Sequence, residues 1–257
     1  MIVLEKISKS YINQGVEQEV LKQLSISFHA GEIISIVGTN GSGKTTLLRM
    51  IAGLLFPDSG YIKFNFPDSQ KPFIGIVHQS YRDSLFPWRT VYRNIHLSFE
   101  YFNGLVFSEE EENKQIESII SRFDINDISK KRPWALSGGQ AQLVAIARAL
   151  VHPQMKVLLM DEPFSALDGR NLQKAAKEII ETTRKNGAVT IVITHDIDVG
   201  ILLGDRIAVL TSESKGITKV IEAPFKGEYN PEFLVNKMFL ECKKEVLGAL
   251  YPAGVIK

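Results

Sequence analysis

The stretch GTNGSGKTT, Gly38 to Thr46, constrains this chain more than any other. It has the spacing G-x-x-x-x-G-K-[ST], a largely apolar strand-like run (Glu32 to Gly38) leads into it, and a helix-like run (Lys44 to Leu54) follows. Strand, glycine loop and helix in that order make a P-loop. The glycines let backbone N–H groups wrap a chain of phosphates, and the helix dipole adds positive potential at the mouth. Lys44 reaches the β/γ phosphates, and the Thr45 hydroxyl is a ligand for Mg²⁺. Gly38, Thr39, Asn40, Gly41, Ser42, Gly43, Lys44, Thr45 and Thr46 are therefore the first candidate binding residues.

A P-loop needs a sheet behind it. Residues 2–7 and 20–28 read as strands, as do YIKFNF from Tyr61 and FIGIVHQ from Phe73. After His152-Pro153 the alternation resumes: a strand at KVLLM, a helix from Asn171 to Asn186 closed by Gly187, then strands at AVTIVITH, RIAVLT and ITKVIEA, the last two as a hairpin. This alternation predicts an α/β core with a parallel sheet. The section from Pro87 to Val151 differs, being mostly helical. Ser108 and Glu111 stand in capping-box spacing, and Ile116, Ile119, Ile120 and Phe123 share one helical face. The expected organisation is one domain: a core with its β subdomain over 1–86 and 152–223, a helical subdomain over 87–151, and a helical tail over 224–257. Pro231 to Leu250 reads as one final amphipathic helix.

Three further strand ends carry chemistry. VLLMDEP puts Asp161 and Glu162 where such sheets bind ligands, Asp161 suited to Mg²⁺ and Glu162 to polarising a water. Gln79 ends another strand, where its amide oxygen can reach Mg²⁺ and the same water; an exposed loop glutamine is the competing reading. His195 ends a third, within hydrogen-bonding range of a terminal phosphate or simply structural. Tyr11, upstream of the P-loop, offers a ring to stack on a base or to pack in the core. WALSGGQAQLVAIARAL, Trp134 to Leu150, looks like a second helix mouth suited to an anion, with an apolar helix behind it.

The net charge of +1 lacks the basic footprint of a nucleic-acid binder. The single cysteine, Cys242, excludes an internal disulfide framework, fits a reducing compartment and reads as a packing residue. The N-terminus has no signal-peptide pattern, and no stretch approaches the ~18 apolar residues of a membrane span. A cytoplasmic protein is expected, with other chains supplying any membrane spans.

LSGGQ, Leu136 to Gln140, between a P-loop and MDEPFSALD resembles the ATP-binding cassette ATPases, over Ile2 to about Ala223. The resemblance implies a RecA-like P-loop core, an antiparallel β subdomain and an inserted helical subdomain. Tyr11 then matches the adenine-stacking aromatic, Gln79 the Q-loop glutamine, and Ser137, Gly138, Gly139 and Gln140 the signature. Asp161 matches the Mg²⁺ aspartate, Glu162 the catalytic glutamate, Ser165 to Asp168 the D-loop, and His195 the switch histidine. It also implies a head-to-tail homodimer around two ATP-Mg²⁺, with membrane permease subunits and, indirectly, a substrate-binding protein as partners, on the cytoplasmic face of the membrane. Leu85-Phe86-Pro87-Trp88 with Thr90-Val91 and Asn94 is similar to the nitrate, taurine and aliphatic sulfonate importers, where this surface accepts the membrane subunit. The alternatives are an exporter or lipid-transport ATPase, a soluble ATPase acting on nucleic acid, and a regulatory module without turnover. The chain departs from the family at Ala141 and Leu143, where polar or basic residues are usual, and at His78. The regulatory domain of the sugar-importer relatives is not expected after this core.

Overall fold

A computed structural model of the chain describes residues 1–13, 15–66, 72–100 and 107–252. In chain order its elements are β1 (Ile2–Asn13), β2 (Val16–Phe28), β3 (Ile33–Gly38), α1 (Lys44–Ile51), β4 (Ser59–Phe64), β5 (Phe73–Val77), α2 (Tyr81–Ser84), α3 (Val91–Glu100) and α4 (Glu109–Phe123). There follow α5 (Gly138–Leu150), β6 (Met155–Asp161), α6 (Gly169–Asn186), β7 (Val189–Thr194), α7 (Ile197–Leu203), β8 (Arg206–Thr211), β9 (Gly216–Glu222) and α8 (Lys237–Leu250). The chain divides into two compact units, Met1–Pro67 with Val189–Lys257, and Asp68–Ala188.

The first unit contains an antiparallel sheet of order β2-β1-β4, in which Ile2 pairs with Phe28 on one side and Phe64 on the other. The β1–β2 hairpin runs well past the expected strands. Its outer end, Ser10 to Asn13 against Val16 to Glu19, has no apolar alternation to reveal it, because it is held by ladder hydrogen bonds rather than by core burial. Three register shifts interrupt the ladder, and Lys6 and Gln23, in the first two, have φ 48° and 44°. Their N–H groups are taken up by serine hydroxyls, Lys6 donating to Ser25 Oγ and Gln23 to Ser8 Oγ, each over 2.9 Å. The same unit carries β3 in parallel between β7 and β8, with β9 antiparallel on β8 as the expected hairpin. Every residue of β7 is buried, and so are all of β3 before Gly38, which explains their unbroken apolar reading.

Val37, Ile207 and Val209 of this sheet pack with Ile201 and Leu202 of α7 and with Phe239, Cys242 and Val246 of α8. Cys242 is thus the packing residue expected of it, and burial pushes its thiol up to about 11, out of reach of ordinary thiolate chemistry. The single helix expected from Pro231 to Leu250 is in fact two pieces. A 3₁₀ turn, Pro231–Val235, ends at Asn236, whose backbone turns extended (ψ 140°) and whose side chain accepts from Met238 N to start α8. Asparagine bonds to nearby backbone N–H groups better than it continues a helix.

In the second unit β5 and β6 form a parallel pair, Val77 opposite Met160. Helix α5 lies so close to β5 that a Cβ on Gly75 would come within 2.4 Å of the Ala149 carbonyl oxygen. Helix α4 starts at the expected capping box, Glu111 N to Ser108 Oγ and Ser108 N to Glu111 Oε2, and buries Ile116, Ile119, Ile120 and Phe123. Arg122 of α4 meets Glu178 of α6 at 2.6 Å. Helix α6 begins two residues before its expected start, because Asp168 caps it by accepting from Asn171 N. It ends at Gly187 (φ 58°), as its sequence predicts.

Candidate functional site

Four strand ends carry the expected residues: β3 and β7 in the first unit, β5 and β6 in the second. In the first unit β3 closes on Gly38, where any side chain is excluded: a Cβ would stand 2.1 Å from the Leu210 carbonyl oxygen. The loop then turns through Gly41 and Gly43 at φ 76° and 94°, left-handed conformations that only glycine adopts without strain. Gly43 is the N-cap of α1, and no side chain caps that helix. Lys44 is buried and donates to the carbonyl oxygens of Gly38 (2.9 Å) and Thr39 (2.8 Å), pulling the loop around its own ammonium. Among the described residues, Thr39 Oγ1 and Ser42 Oγ are buried hydroxyls with no hydrogen-bond partner. Each unmade bond costs about 1–3 kcal/mol. Two orphan donors in a loop of glycine N–H groups fit a ligand that supplies several acceptor oxygens, as a polyphosphate does.

Tyr11 is 40% exposed rather than in the core, and its Oη lies 3.4 Å from Thr46 Oγ1 on α1. Its ring is therefore presented beside the P-loop helix. His195 follows β7 and is exposed, while Thr194 Oγ1 accepts from Asp196 N and Asp196 caps α7.

In the second unit Gln79 stands exposed two residues past β5. Asp161 ends β6 and is buried, and Glu162 follows it with φ 50°. A non-glycine residue in the left-handed region is a strained position that neighbours must hold. The signature opens α5 with a capping box of its own: Gln140 N donates to Ser137 Oγ (3.2 Å) and Ser137 N to Gln140 Oε1 (3.0 Å). Gly138 and Gly139 occupy the first two helical positions, whose N–H groups that box does not use. Asp168, besides Asn171 N, accepts from Asn171 Nδ2 at 3.1 Å.

Behind the signature, residues 141 to 147 are all buried. The departures at Ala141 and Leu143 therefore replace polar residues with apolar ones in an interior, not at an anion-facing surface. Gln142 was not singled out by its sequence, yet it is wholly buried and bonded to the segment after β6; a polar residue inside an apolar helical run was the available signal. The turn Leu85 to Trp88 is built on buried Asn94, whose Oδ1 accepts from Phe86 N and whose Nδ2 reaches the carbonyls of Phe86, Arg89 and Thr90. That turn buries Leu85 and leaves Trp88 66% exposed. Among the described residues, no cluster of three or more His, Cys, Asp or Glu forms a metal site, and no helix is long and apolar enough to cross a membrane.

Comparison with known proteins matches residues 21–165, more than half of the chain, to the family described as ABC transporter. The Fe(3+) ions import ATP-binding protein FbpC of Haemophilus influenzae is 37% identical over 234 residues, 87% of this chain and 64% of that protein. The nitrate import ATP-binding protein NrtC of Synechocystis is 38% identical over 209 residues, 79% of this chain and 30% of that one. The chain thus spans less than two thirds of the length of either relative. The solved dimeric cassette MJ0796, in a post-hydrolysis state bound to ADP and Pi, aligns with a TM-score of 0.75 at 29% identity, covering 87% of this chain and 99% of that one. A P-loop on a parallel sheet, a separate antiparallel sheet, a serine-capped glycine helix and the family match over residues 21–165 agree: the chain belongs to the ABC transporter family, among its ATP-binding cassettes.

Proposed function

We propose that the chain binds and hydrolyses ATP as the energising subunit of a membrane importer. The observation that carries this reading is the P-loop, with its lysine gathered onto loop carbonyls and two orphan hydroxyls facing no protein acceptor. Gly38 to Thr46 would cradle the phosphates, and Tyr11 would stack on adenine. Thr45, Gln79 and Asp161 would hold Mg²⁺; a hydroxyl, an amide and one carboxylate suit a cation that keeps phosphate and water ligands. When bound, the metal would neutralise charge on the transferred phosphoryl group. Glu162 would accept a proton from the attacking water, Gln79 would orient that water, and His195 would hydrogen-bond the γ-phosphate.

Two copies would pair head to tail, Ser137 to Gln140 of one facing the nucleotide of the other, with Asp168 beside it. The dimeric state of MJ0796 supports this pairing. Loss of the bridging γ-phosphate on hydrolysis would release the halves, a two-state motion able to drive a partner. The exposed Trp88 beside Phe86, their ring centroids 5.1 Å apart, offers membrane permease subunits an aromatic edge at the cytoplasmic face. The Leu85 to Asn94 pattern and the similarity to NrtC favour an oxyanion cargo of the nitrate, sulfonate or taurine kind, delivered by a substrate-binding protein.

The deciding experiment is Glu162→Gln. The variant should bind ATP, lose about 100-fold or more of ATPase activity, and elute as an ATP-dependent dimer, since only the proton acceptor is removed. Wild-type turnover in the variant overturns the assignment.

A further inference from the structure

Gln142 connects the two chemistries of the second unit. Its side chain is completely buried. Nε2 donates to the carbonyl oxygen of Glu162 (3.2 Å) and lies 3.4 Å from Ser165 Oγ, while Oε1 accepts from Ala166 N at 2.8 Å. The amide therefore spans the turn from Glu162 to Ala166 from behind, bonding both to the one strained residue in it and to its far end. Within the turn Ser165 N reaches Glu162 O at 3.4 Å and Leu167 N donates to Phe164 O at 3.0 Å. A left-handed non-glycine residue persists only where surrounding structure over-determines it, and the buried, three-times-bonded Gln142 amide is one such constraint on Glu162.

The same turn is packed against the mouth of α5. A Cβ on Gly139 would meet Ala166 O at 3.1 Å, and one on Gly138 would stand 3.7 Å from Ala166 Cβ. Gln142 lies on α5 one turn after these glycines. The first turns of α5 and residues 162–166 are thus joined by close backbone contact at one end and by three side-chain hydrogen bonds at the other.

We infer that Gln142 is a positioning residue for hydrolysis: by pinning the Glu162 carbonyl and the Ala166 N–H to α5, it fixes where the Glu162 carboxylate points and ties that aim to the placement of Ser137 to Gly139. This rests on the proposed role of Glu162. In the proposed dimer the signature serves one nucleotide and Glu162 of the same chain the other, so a displacement of α5 by a phosphate at the first site moves the proton acceptor at the second.

The test is steady-state ATPase kinetics of the full chain and of two variants. Q142L removes all three bonds. Q142E is nearly isosteric, keeps an acceptor for Ala166 N and replaces the donor to Glu162 O with a carboxylate oxygen. Both should lower kcat by about 10- to 100-fold, the cost of misplacing a reacting group by around an ångström. KM for ATP should stay within about twofold, because no phosphate ligand is touched. Active-site titration with a fluorescent ATP analogue counts competent binding sites, so kcat is expressed per folded site; Q142E decides if Q142L does not fold. A folded variant with wild-type kcat per site overturns the inference, as does a loss shared between KM and site count with kcat per site unchanged. A wild-type chain that turns over no ATP would instead overturn the functional reading on which the inference rests.

Discussion

The chain builds two helix mouths from glycines and small polar residues, and they are finished in opposite ways. At α1 the cap is a left-handed glycine with no side-chain acceptor, and the hydroxyls of Thr39 and Ser42 are left without partners. At α5 the cap is a serine whose Oγ accepts from Gln140 N and whose own N–H donates to Gln140 Oε1. The same dipole and the same first-turn N–H groups are present at each. The first mouth is pre-formed and unsatisfied, so an anion gains whatever the protein leaves unmade. The second satisfies its N-cap and third N–H itself, so an anion there is left the N–H groups of Gly138 and Gly139 and the Ser137 O–H, which the capping box does not use as a donor. On the proposed reading this is a sensible division: one site holds nucleotide in the single chain, and the other acts only when a partner's nucleotide is brought to it.

Substitutions can break that contrast, and the largest effect belongs to the open mouth. Lys44→Ala should weaken MgATP binding by about 100-fold, roughly 3 kcal/mol, measured by equilibrium titration, since it removes the loop's one ammonium. Comparable in size is an acid effect at the far end of α5. His152 is buried between Phe73 (4.4 Å between ring centroids) and Phe99 (5.0 Å), with Gln154 N donating to its Nδ1. Burial lowers it from 6.5 to about 4. The unfolded chain therefore takes up a proton first, and stability is full above pH 6.5, falls as pH drops towards 4, and loses nothing more from this group below that. The total is about 3 kcal/mol, visible as a falling urea midpoint that His152→Leu should flatten.

Smaller effects sharpen the comparison further. Ser137→Ala should cost about 1 kcal/mol in chemical denaturation, because it removes a working cap. Ser42→Ala should cost no stability and raise it by up to about 1 kcal/mol, because its buried hydroxyl makes no hydrogen bond within the protein. Nucleotide affinity should fall only a few-fold in Ser42→Ala. If Ser42→Ala destabilises as much as Ser137→Ala, the two mouths are not finished differently after all.

Most of this was legible in the chain, for identifiable reasons. The P-loop, the β6 end at Asp161-Glu162 and the α4 capping box are written in short local patterns whose geometry follows from the residues themselves. So was the closure of α6 at Gly187. What escaped depended on long-range pairing. The outer end of the β1–β2 hairpin is exposed, and only its partner strand makes it a strand. The break at Asn236 turns on a side chain choosing a cap over a helix. Gln142 looked like one more letter after the signature, and its role becomes visible only when Glu162 and Ala166 are brought beside it, some twenty residues on in sequence.

The glycines of the P-loop answer to different masters. Gly38 is required by the sheet, since its missing Cβ is what lets the Leu210 carbonyl approach. Gly41 has nothing within 4 Å of a Cβ, and only its left-handed backbone calls for glycine there. A descendant of this chain that abandoned nucleotides would be at liberty to lose Gly41 and Lys44 while keeping Gly38 for as long as it kept its fold. The first letter of the motif is a fossil of architecture, and the later ones are a record of use.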